Sequence, residues 1–200
     1  MNIEIKKSIK PINYFNALNL LETRLENLSK NMERELIWTL EHDEIFTAGT
    51  SYLENEIIDK TIKIIKTNRG GKITCHGPGQ LVIYFMLDIK RLELGPKSLV
   101  QSIQNFTKNL LNEFSIESNF IDGATGVYVV DKKIASIGLR ISKGKSYHGI
   151  SINVDMDLEP FSNINPCGYE GLEVAQIKDC KEKITIKEVE QLAIKHLGLI

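Results

Sequence analysis

Apolar residues recur at three- and four-residue steps in three parts of the chain, which is the spacing of one helix face. The first series follows Asn13, a candidate N-cap, and consists of Tyr14, Leu18, Leu21, Leu25 and Leu28. The second follows Pro96, which suits a first helical turn, and consists of Leu99, Ile103, Phe106, Leu110 and Phe114. The third opens at Thr185 with a capping box and runs to about Leu197. The pattern therefore predicts a helix in each part.

A second pattern predicts strands, most of them in the middle of the chain. Residues 35–42 place apolar side chains at alternate positions, and residues 81–89 are apolar almost throughout, as in a strand that is covered on both faces. Strand-like pieces within residues 126–154 are joined by short connections rich in Lys and Gly, which indicates an antiparallel meander. Residues 43–61 are polar and less regular, and we predict that the glycine-rich residues 69–80 form a loop or a pair of tight turns.

The grouping of the strands, with helices at the two ends and in the middle, predicts an α+β fold. We expect one domain over residues 1–200, with a mixed or antiparallel sheet flanked by helices. A hydrophobic share of 42% and a charged share of 26% are ordinary for a globular protein and exclude intrinsic disorder and collagen-like repeats. A chain of this length can bury a core without disulfide bonds.

The net charge and the first residues of the chain limit the classes of partner and the compartment that we expect. The net charge of −1 gives no bulk attraction to nucleic acid or to a membrane, so a charged partner needs a local patch. The candidate basic patch consists of Arg69, Lys72, Arg140, Lys143 and Lys145, and a solvated rim is the equal alternative. The longest apolar run, residues 81–87, is far shorter than the ~20 residues of a spanning helix. The first residues lack an apolar signal core, so we expect a cytoplasmic protein. We also expect a monomer.

The cysteines Cys75, Cys167 and Cys180 lie at long spacings, which suits neither a disulfide framework nor a zinc site. Cys167 lies between Pro166 and Gly168, in a predicted turn. A lone cysteine is most often a small buried hydrophobe. Turns lie at the surface, however, and an exposed thiol in a rigid turn is a candidate nucleophile. No metal site is evident in the sequence, and no bound cofactor is implied.

A cysteine nucleophile needs a group that activates its thiol. The candidate histidines are His42, His76, His148 and His196. The sequence alone does not say which of them approaches the cysteine. Lys132 and Lys133 compete for the role, because they begin an apolar strand in which a lysine is partly desolvated. The plainer interpretation of each lysine is a solvated surface side chain.

The segment RGGKITCHGPGQ at residues 69–80 is dense in glycine. It is not a P-loop, because Ile73 follows Lys72 where Ser or Thr is needed. It is not a dinucleotide fingerprint either, because the third glycine is missing and a strand follows. Two interpretations remain open: a structural turn, or a wall where the backbone closely approaches a ligand.

Three ordered segments, RGGKITCHGPGQL, DKKIASIGLRISKGKSYHGISINV and FSNINPCG, resemble signature blocks of the lipoyl(octanoyl) transferase family. The resemblance spans roughly residues 35–180. This family shares a superfamily with lipoate–protein and biotin–protein ligases, so the resemblance implies their catalytic-domain fold. It also implies transfer of an octanoyl (or lipoyl) group from acyl carrier protein to a lysine of a lipoyl domain.

Carried over by motif, the resemblance makes Cys167 the nucleophile that forms an acyl thioester and Lys133 its activator. It also implies an acyl-binding wall built from three short segments. These are Arg69, Gly70, Gly71, Lys72, Ile73, Thr74, Cys75 and His76; Ser136, Ile137 and Gly138; and Gly149, Ile150 and Ser151. The implied donor is octanoyl-acyl carrier protein, and the implied acceptors are lipoyl domains of 2-oxoacid dehydrogenases and the glycine cleavage H protein.

Two residues depart from the family pattern, which usually has Tyr at the position of Cys75 and Trp at that of Tyr128, and we expect both to line the acyl pocket. A thioester arrives already activated, which agrees with the missing P-loop. A lysine that lowered the thiol pKa from ~8.5 to ~6.5 would gain only about threefold once the loss of nucleophilicity is counted. We therefore hypothesise that Lys133 mainly moves protons.

Three rival functions stay open. The nearest is an ATP-dependent lipoate or biotin ligase on the same scaffold, which reacts through an acyl-adenylate and needs no cysteine. A non-catalytic protein that binds the acyl carrier or the lipoyl domain is the second, although it has no reason to retain both Lys133 and Cys167. The third is a cysteine protease or thioesterase, which would release free octanoate.

Overall fold

Two β-sheets and their covering helices make up residues 3–166 and 171–197, the part of the chain that the computed structural model describes. The strands are β1 (Glu4–Lys7), β2 (Leu36–Leu40), β3 (Ile45–Ala48), β4 (Ile64–Lys66), β5 (Ile73–His76), β6 (Gln80–Met86), β7 (Asn119–Ile121), β8 (Ala124–Val129), β9 (Lys132–Ser142) and β10 (Lys145–Asn153). The helices are α1 (Tyr14–Ser29), α2 (Pro96–Asn112), α3 (Ile177–Cys180) and α4 (Ile186–Leu197). The α+β fold is as predicted.

The larger sheet has seven strands in the order β1-β2-β6-β10-β9-β8-β7. All neighbours in it are antiparallel except β1 and β2, which run parallel. The predicted meander is confirmed as β8-β9-β10. The smaller sheet has the order β4-β3-β5, with β3 parallel to β4 and antiparallel to β5.

The position of β6 between two core clusters explains why its sequence is apolar throughout. Leu81, Ile83 and Phe85 belong to the core cluster that α2 and α4 cover, whereas Val82 and Tyr84 belong to a second cluster under α1. Alternate residues of a strand point to opposite faces, so a strand that is covered on both sides has no solvent-facing position. The prediction of a strand covered on both faces is confirmed.

The predicted helix starts are also present. The Asn13 Oδ1 atom accepts hydrogen bonds from the backbone N–H groups of Phe15 and Asn16, at 3.0 and 3.4 Å. Thr185 Oγ1 accepts from the N–H of Glu188 at 3.2 Å. None of the helices in the described ranges combines the length and the apolarity that crossing a bilayer requires.

The less regular stretch and the glycine-rich segment both contain strands that were not predicted. Residues 43–61 include β3, and the glycine-rich residues 69–80 include β5, which pair with each other as Ile45 opposite His76. Each of these strands is only four residues long. Strands of four residues show too little periodicity to be recognised. Pairing with strands distant in the sequence stabilises them, and a local pattern does not reveal such pairing.

Candidate active site

A cavity of about 440 Å³ lies between the two sheets. Most residues that the sequence placed in the site line it. They are Arg69, Gly71, Lys72, Ile73, Thr74, His76, Lys133, Ser136, Ile137, Gly138, Gly149, Ile150 and Ser151. Gly70 and Cys75 are not among the lining residues, and Cys167 lies outside the described residues. Pro166, the residue before it in the chain, does line the cavity.

The glycine-rich segment approaches other parts of the chain closely. The backbone N–H of Gly70 donates to the carbonyl of Leu139 in β9 at 3.0 Å. A Cβ atom on Gly70 would lie 2.7 Å from that same oxygen, and one on Gly138 would lie 3.0 Å from the carbonyl oxygen of Gly70. These glycines therefore serve a structural purpose, since they let the segment dock on β9. The segment also forms one wall of the cavity, and its close approach to a ligand stays a prediction.

Arg69 is buried in this wall with 7% of its surface exposed. Its guanidinium donates to the carbonyl and hydroxyl oxygens of Thr47 in β3, at 2.7 Å and 2.9–3.2 Å, and to the carbonyl of Gly70 at 3.1 Å. This charge-assisted network ties the glycine-rich segment to the smaller sheet. Arg69 is thus part of the interior and not of a surface patch.

The candidate basic patch is accordingly much smaller than expected. Besides Arg69, Lys72 is paired with the buried carboxylate of Glu56, and Lys145 is paired with Asp88. Arg140 and Lys143 are exposed. The five residues therefore do not form one basic surface.

Lys133 enters the cavity wall almost completely buried, with 2% of its surface exposed. Its Nζ atom donates to the carbonyl of Thr125 in β8 at 2.8 Å and lies 5.4 Å from the ring centroid of Tyr128. A buried ammonium needs such partners, because the loss of water otherwise destabilises its charged form. Lys132 instead pairs with Glu173 at 2.6 Å and is half exposed. Of the two competing lysines, Lys133 is therefore the one in the site.

The backbone of Lys133 is held by residues that follow Cys167 in the chain. The N–H of Lys133 donates to the carbonyl of Glu173, and its carbonyl accepts from the N–H of Ala175, both at 2.9 Å. Val174 lies between them and forms a parallel bridge with Lys133. This contact brings the segment after the predicted nucleophile alongside the predicted activator.

Gly126 in β8 leaves the space that the Lys133 side chain occupies. Its φ is +151°, and a Cβ atom there would lie 2.5 Å from Lys133 Cε and 2.6 Å from the carbonyl oxygen of Ala135. Real side chains do not make such contacts, so only glycine fits this position. The strand pattern of residues 126–154 did not predict this role for Gly126, because the need for glycine arises from a neighbouring strand.

Two histidines line the cavity as neutral groups. Burial, together with the nearby His42 and Arg69, lowers the pKa of His76 to about 3. Burial also lowers the pKa of His148 to about 3, again with a contribution from Arg69. His148 Nε2 lies 2.8 Å from Asn68 Oδ1, so this ring nitrogen carries the proton and donates it. Neither histidine adds positive charge to the cavity at neutral pH.

The other two histidines lie away from the cavity lining. His42 is fully buried behind it, where Nδ1 donates to the carbonyl of Ile12 at 2.7 Å and Nε2 accepts from the Tyr84 hydroxyl at 2.6 Å. His196, on α4, contacts Glu113 at 2.9 Å. Tyr84 itself lines the cavity, a role that its apolar strand did not suggest.

The two positions that depart from the family pattern lie in the core. The Cys75 side chain belongs to the cluster of the smaller sheet with Phe46 and Ile73, and burial raises its pKa to about 12. Tyr128 is fully buried beside Lys133. Neither residue is in the cavity lining, so the structure places them behind the wall that we expected them to form. A thiol with such a pKa stays protonated and is no nucleophile.

The wall of the cavity contains polar as well as apolar side chains. Thr74 lines the cavity, and its Oγ1 atom is buried without a hydrogen-bond partner among the described residues. Within residues 3–166 and 171–197, no cluster of three His, Cys, Asp or Glu side chains is arranged to hold a metal ion. The cavity thus has a largely apolar surface that also includes the buried side chains of Arg69 and Lys133, and it suits a ligand with an aliphatic chain and a reactive polar end.

Comparison with known proteins agrees with this geometry. Residues 13–198 match the model of the lipoyl protein ligase A/B catalytic domain. An octanoyltransferase of Francisella tularensis subsp. novicida is 50% identical over 157 residues, which is 78% of this chain and 76% of that protein. An octanoyltransferase of Vesicomyosocius okutanii is 41% identical over 191 residues, 92% of this chain and 93% of that protein.

Among solved structures, a lipoate-protein ligase A bound with ATP superposes with a TM-score of 0.74. The match covers 98% of this chain and 84% of that one at 17% sequence identity. At this identity the likeness establishes the fold, in agreement with the catalytic-domain fold expected from the motifs.

Proposed function

The chain belongs to the lipoyl protein ligase A/B catalytic domain family, and we propose that it transfers an octanoyl group from an acyl carrier protein thioester to a lysine of a lipoyl domain through a thioester on Cys167. Its relatives at 41–50% identity are octanoyltransferases, so the chain is an acyltransferase of protein lipoylation. The observation that carries the proposed chemistry is the buried ammonium of Lys133 in the wall of an apolar cavity.

In the first half-reaction, the Cys167 thiolate attacks the carbonyl carbon of the octanoyl thioester. The tetrahedral intermediate collapses with cleavage of the bond to the pantetheine sulfur, which leaves as a thiol after it gains a proton. A thiol serves well here because it is both a nucleophile and a leaving group. The energy of the incoming thioester is kept in the new one, so this step needs no nucleotide.

In the second half-reaction, the amine of the lipoyl-domain lysine attacks the thioester on Cys167. The carbon–sulfur bond breaks, an amide forms, and the nitrogen loses a proton. We assign both proton movements to Lys133: its ammonium protonates the departing pantetheine sulfur, and the resulting amine takes the proton from the attacking lysine. Thr125 lines the cavity, and its carbonyl accepts a hydrogen bond from Lys133 Nζ at 2.8 Å. It supports this role because it holds the Nζ group at the cavity wall.

The acyl chain occupies the cavity in this proposal. The three segments that line it, residues 69–76 without Gly70 and Cys75, Ser136–Gly138 and Gly149–Ser151, contact the chain. Burial of the methylene and methyl groups of an octanoyl chain is worth about 5 kcal/mol at ~0.8 kcal/mol per CH₂. Such a gain makes an eight-carbon chain bind far more tightly than an acetyl group.

The proposed donor is octanoyl-acyl carrier protein, and the proposed acceptors are the lipoyl domains of 2-oxoacid dehydrogenases and the glycine cleavage H protein. We expect no cofactor to take part. The fold is shared with ATP-dependent ligases, so a turnover assay must separate the two chemistries.

The test compares two substrate mixtures with an isolated lipoyl domain as acceptor. One contains octanoyl-acyl carrier protein and no nucleotide, and the other contains octanoate and ATP. We expect amide product, measured by the mass of the lipoyl domain, only in the first mixture. Product only in the second would identify a ligase, and release of free octanoate without amide would identify a thioesterase.

A further inference from the structure

Two buried amide side chains lie behind the cavity and have no role in the site described so far. Gln80, at the start of β6, is 1% exposed, and Asn153, at the end of β10, is 5% exposed. They oppose each other across the pair of strands. Neither lines the cavity. We refer to the two residues together as the amide pair.

The hydrogen bonds of the amide pair have only one consistent assignment. Asn153 Nδ2 lies 2.9 Å from the carbonyl of Ala175, which can only accept, so the nitrogen faces it and Oδ1 faces Gln80. Gln80 Nε2 then donates to Asn153 Oδ1 at 3.0 Å and to the carbonyl of Cys75 at 3.2 Å. Gln80 Oε1 is left as an acceptor.

This acceptor determines the tautomer of His76. Gln80 Oε1 lies 2.7 Å from His76 Nδ1, so Nδ1 carries a proton and donates it. In a neutral ring the other nitrogen, Nε2, is then an acceptor. His76 lines the cavity, so the amide pair decides which kind of hydrogen-bonding group the ring can offer to a ligand.

The other end of the amide pair reaches the backbone of Lys133. The carbonyl of Ala175 accepts from Asn153, and the N–H of Ala175 donates to the carbonyl of Lys133 at 2.9 Å. One chain of hydrogen bonds therefore connects His76 in the glycine-rich segment to the backbone of Lys133 in β9. The segment that carries Ala175 follows Cys167 in the chain, so the same contacts limit its position relative to β9.

An amide side chain in a core costs desolvation free energy that an apolar side chain does not. Apolar side chains of similar size bury the same volume without the need for matched hydrogen bonds, and a fully satisfied polar network mainly fixes one arrangement. Each amide of the pair donates and accepts within the described structure. We therefore expect the amide pair to contribute mainly by fixing the positions of the residues that it contacts.

We propose that Gln80 and Asn153 are positioning residues of the acyl transfer, which hold His76 as the Nδ1–H tautomer and fix the backbone of Lys133 against the segment that follows Cys167. The proposal rests on the function proposed above. It assigns no contact with the substrate to either amide.

The kinetic test uses Gln80→Leu and Asn153→Leu in the full-length protein. We expect kcat for octanoyl transfer to fall roughly 10- to 100-fold, as for a displacement of about an ångström at a reacting group. KM for octanoyl-acyl carrier protein should change by less than about threefold, because neither side chain lines the cavity. Equal losses in both parameters, or no loss in kcat, would contradict a positioning role.

A matched control separates positioning from a general loss of stability. Thr107 is fully buried in α2, on the other face of the larger sheet, and its hydroxyl donates to the carbonyl of Ile103 at 2.8 Å. Thr107→Val also deletes one buried side-chain hydrogen bond. We expect it to lower the unfolding midpoint and to leave kcat unchanged.

The tautomer of His76 gives a readout that does not depend on activity. In ¹⁵N-labelled wild-type protein, we expect the Nδ1 resonance of His76 in the range of a protonated ring nitrogen and Nε2 in that of an unprotonated one. The reverse pattern in the wild type would overturn the proposal even if both variants are too unstable to assay. The wild-type rate in the same transfer assay tests the proposed function, whereas the ratio of variant to wild type and the tautomer test the amide pair.

Discussion

Lys133 illustrates how much a single residue depends on its neighbours in other strands. The sequence alone did not separate it from Lys132, and the resemblance selected it by motif. In the structure, a register shift between β8 and β9 falls beside Lys133, at Val127 and Tyr128. Such irregularities re-aim side chains, and periodicity does not reveal them. The motif therefore selected the lysine that lines the cavity, but it did not predict the Thr125 carbonyl that holds it.

Replacement of Lys133 by Arg tests whether the residue moves protons. A guanidinium keeps the positive charge but does not release its proton near neutral pH. We expect kcat for octanoyl transfer to fall by about 10²-fold or more, the usual contribution of a general acid–base group. The measurement is a pH–rate profile of the Lys133→Arg variant beside the wild type. Near-normal turnover would mean that the charge alone is sufficient.

Among the secondary-structure elements, those with a strong local signal were predicted and those that depend on distant partners were not. Helices α1 and α2 and strand β6 have a clear apolar period and a recognisable cap or boundary, so the sequence predicted them within a few residues. Strands β3 and β5 are recognisable only as partners of each other. The cavity lies between the larger sheet, whose central strands were predicted, and the smaller sheet, which was not. The motifs, and not the apolar pattern, therefore indicated the residues of its walls.

The pairing of β8 and β9 makes a specific prediction at Gly126. In Gly126→Ala, the new Cβ would meet Lys133 Cε at 2.5 Å and the Ala135 carbonyl at 2.6 Å, at a φ of +151°. We expect the free energy of unfolding to fall by about 2–4 kcal/mol, from backbone strain and overpacking together. Octanoyl transfer should also slow, because the Lys133 side chain must move.

Gly123→Ala is the matched control for this variant. Gly123 has a φ of +78°, but a Cβ there would meet no atom within 4 Å. We expect Gly123→Ala to lower the free energy of unfolding by only ~1–2 kcal/mol, which is the strain of an alanine in the left-handed region. Urea denaturation of both variants measures the difference, and equal losses would show that the contact with Lys133 does not matter.

At the scale of the whole molecule, the cavity concentrates neutral histidines in the interior between the two sheets. His76 and His148 both have their pKa lowered to about 3 from an ordinary value of 6.5, mainly by burial. The sequence showed four histidines of uncertain role. Burial, which separates these two from His196 on α4, became apparent only when both sheets were in place.

These depressed pKa values predict how stability depends on pH. Above pH 6.5 the two histidines are neutral in both states; as the pH falls below it, the unfolded chain binds protons that the folded chain does not, so stability is lost. Between pH 7 and pH 5.5 we expect a loss of roughly 2–3 kcal/mol from His76 and His148 together. Urea denaturation at the two pH values measures it. The loss should persist in His196→Gln, and an unchanged free energy in the wild type would contradict the burial of neutral histidines.

The proposed mechanism requires a covalent octanoyl group on Cys167, and intact-protein mass spectrometry tests this directly. The protein is mixed with octanoyl-acyl carrier protein without ATP, beside Cys167→Ala and a Cys180→Ala control that removes an exposed cysteine. We predict an octanoyl adduct on the wild type and on Cys180→Ala, absent from Cys167→Ala and removed by addition of a lipoyl domain. An adduct that persists in Cys167→Ala, or amide product without any adduct on the wild type, would contradict the thioester mechanism.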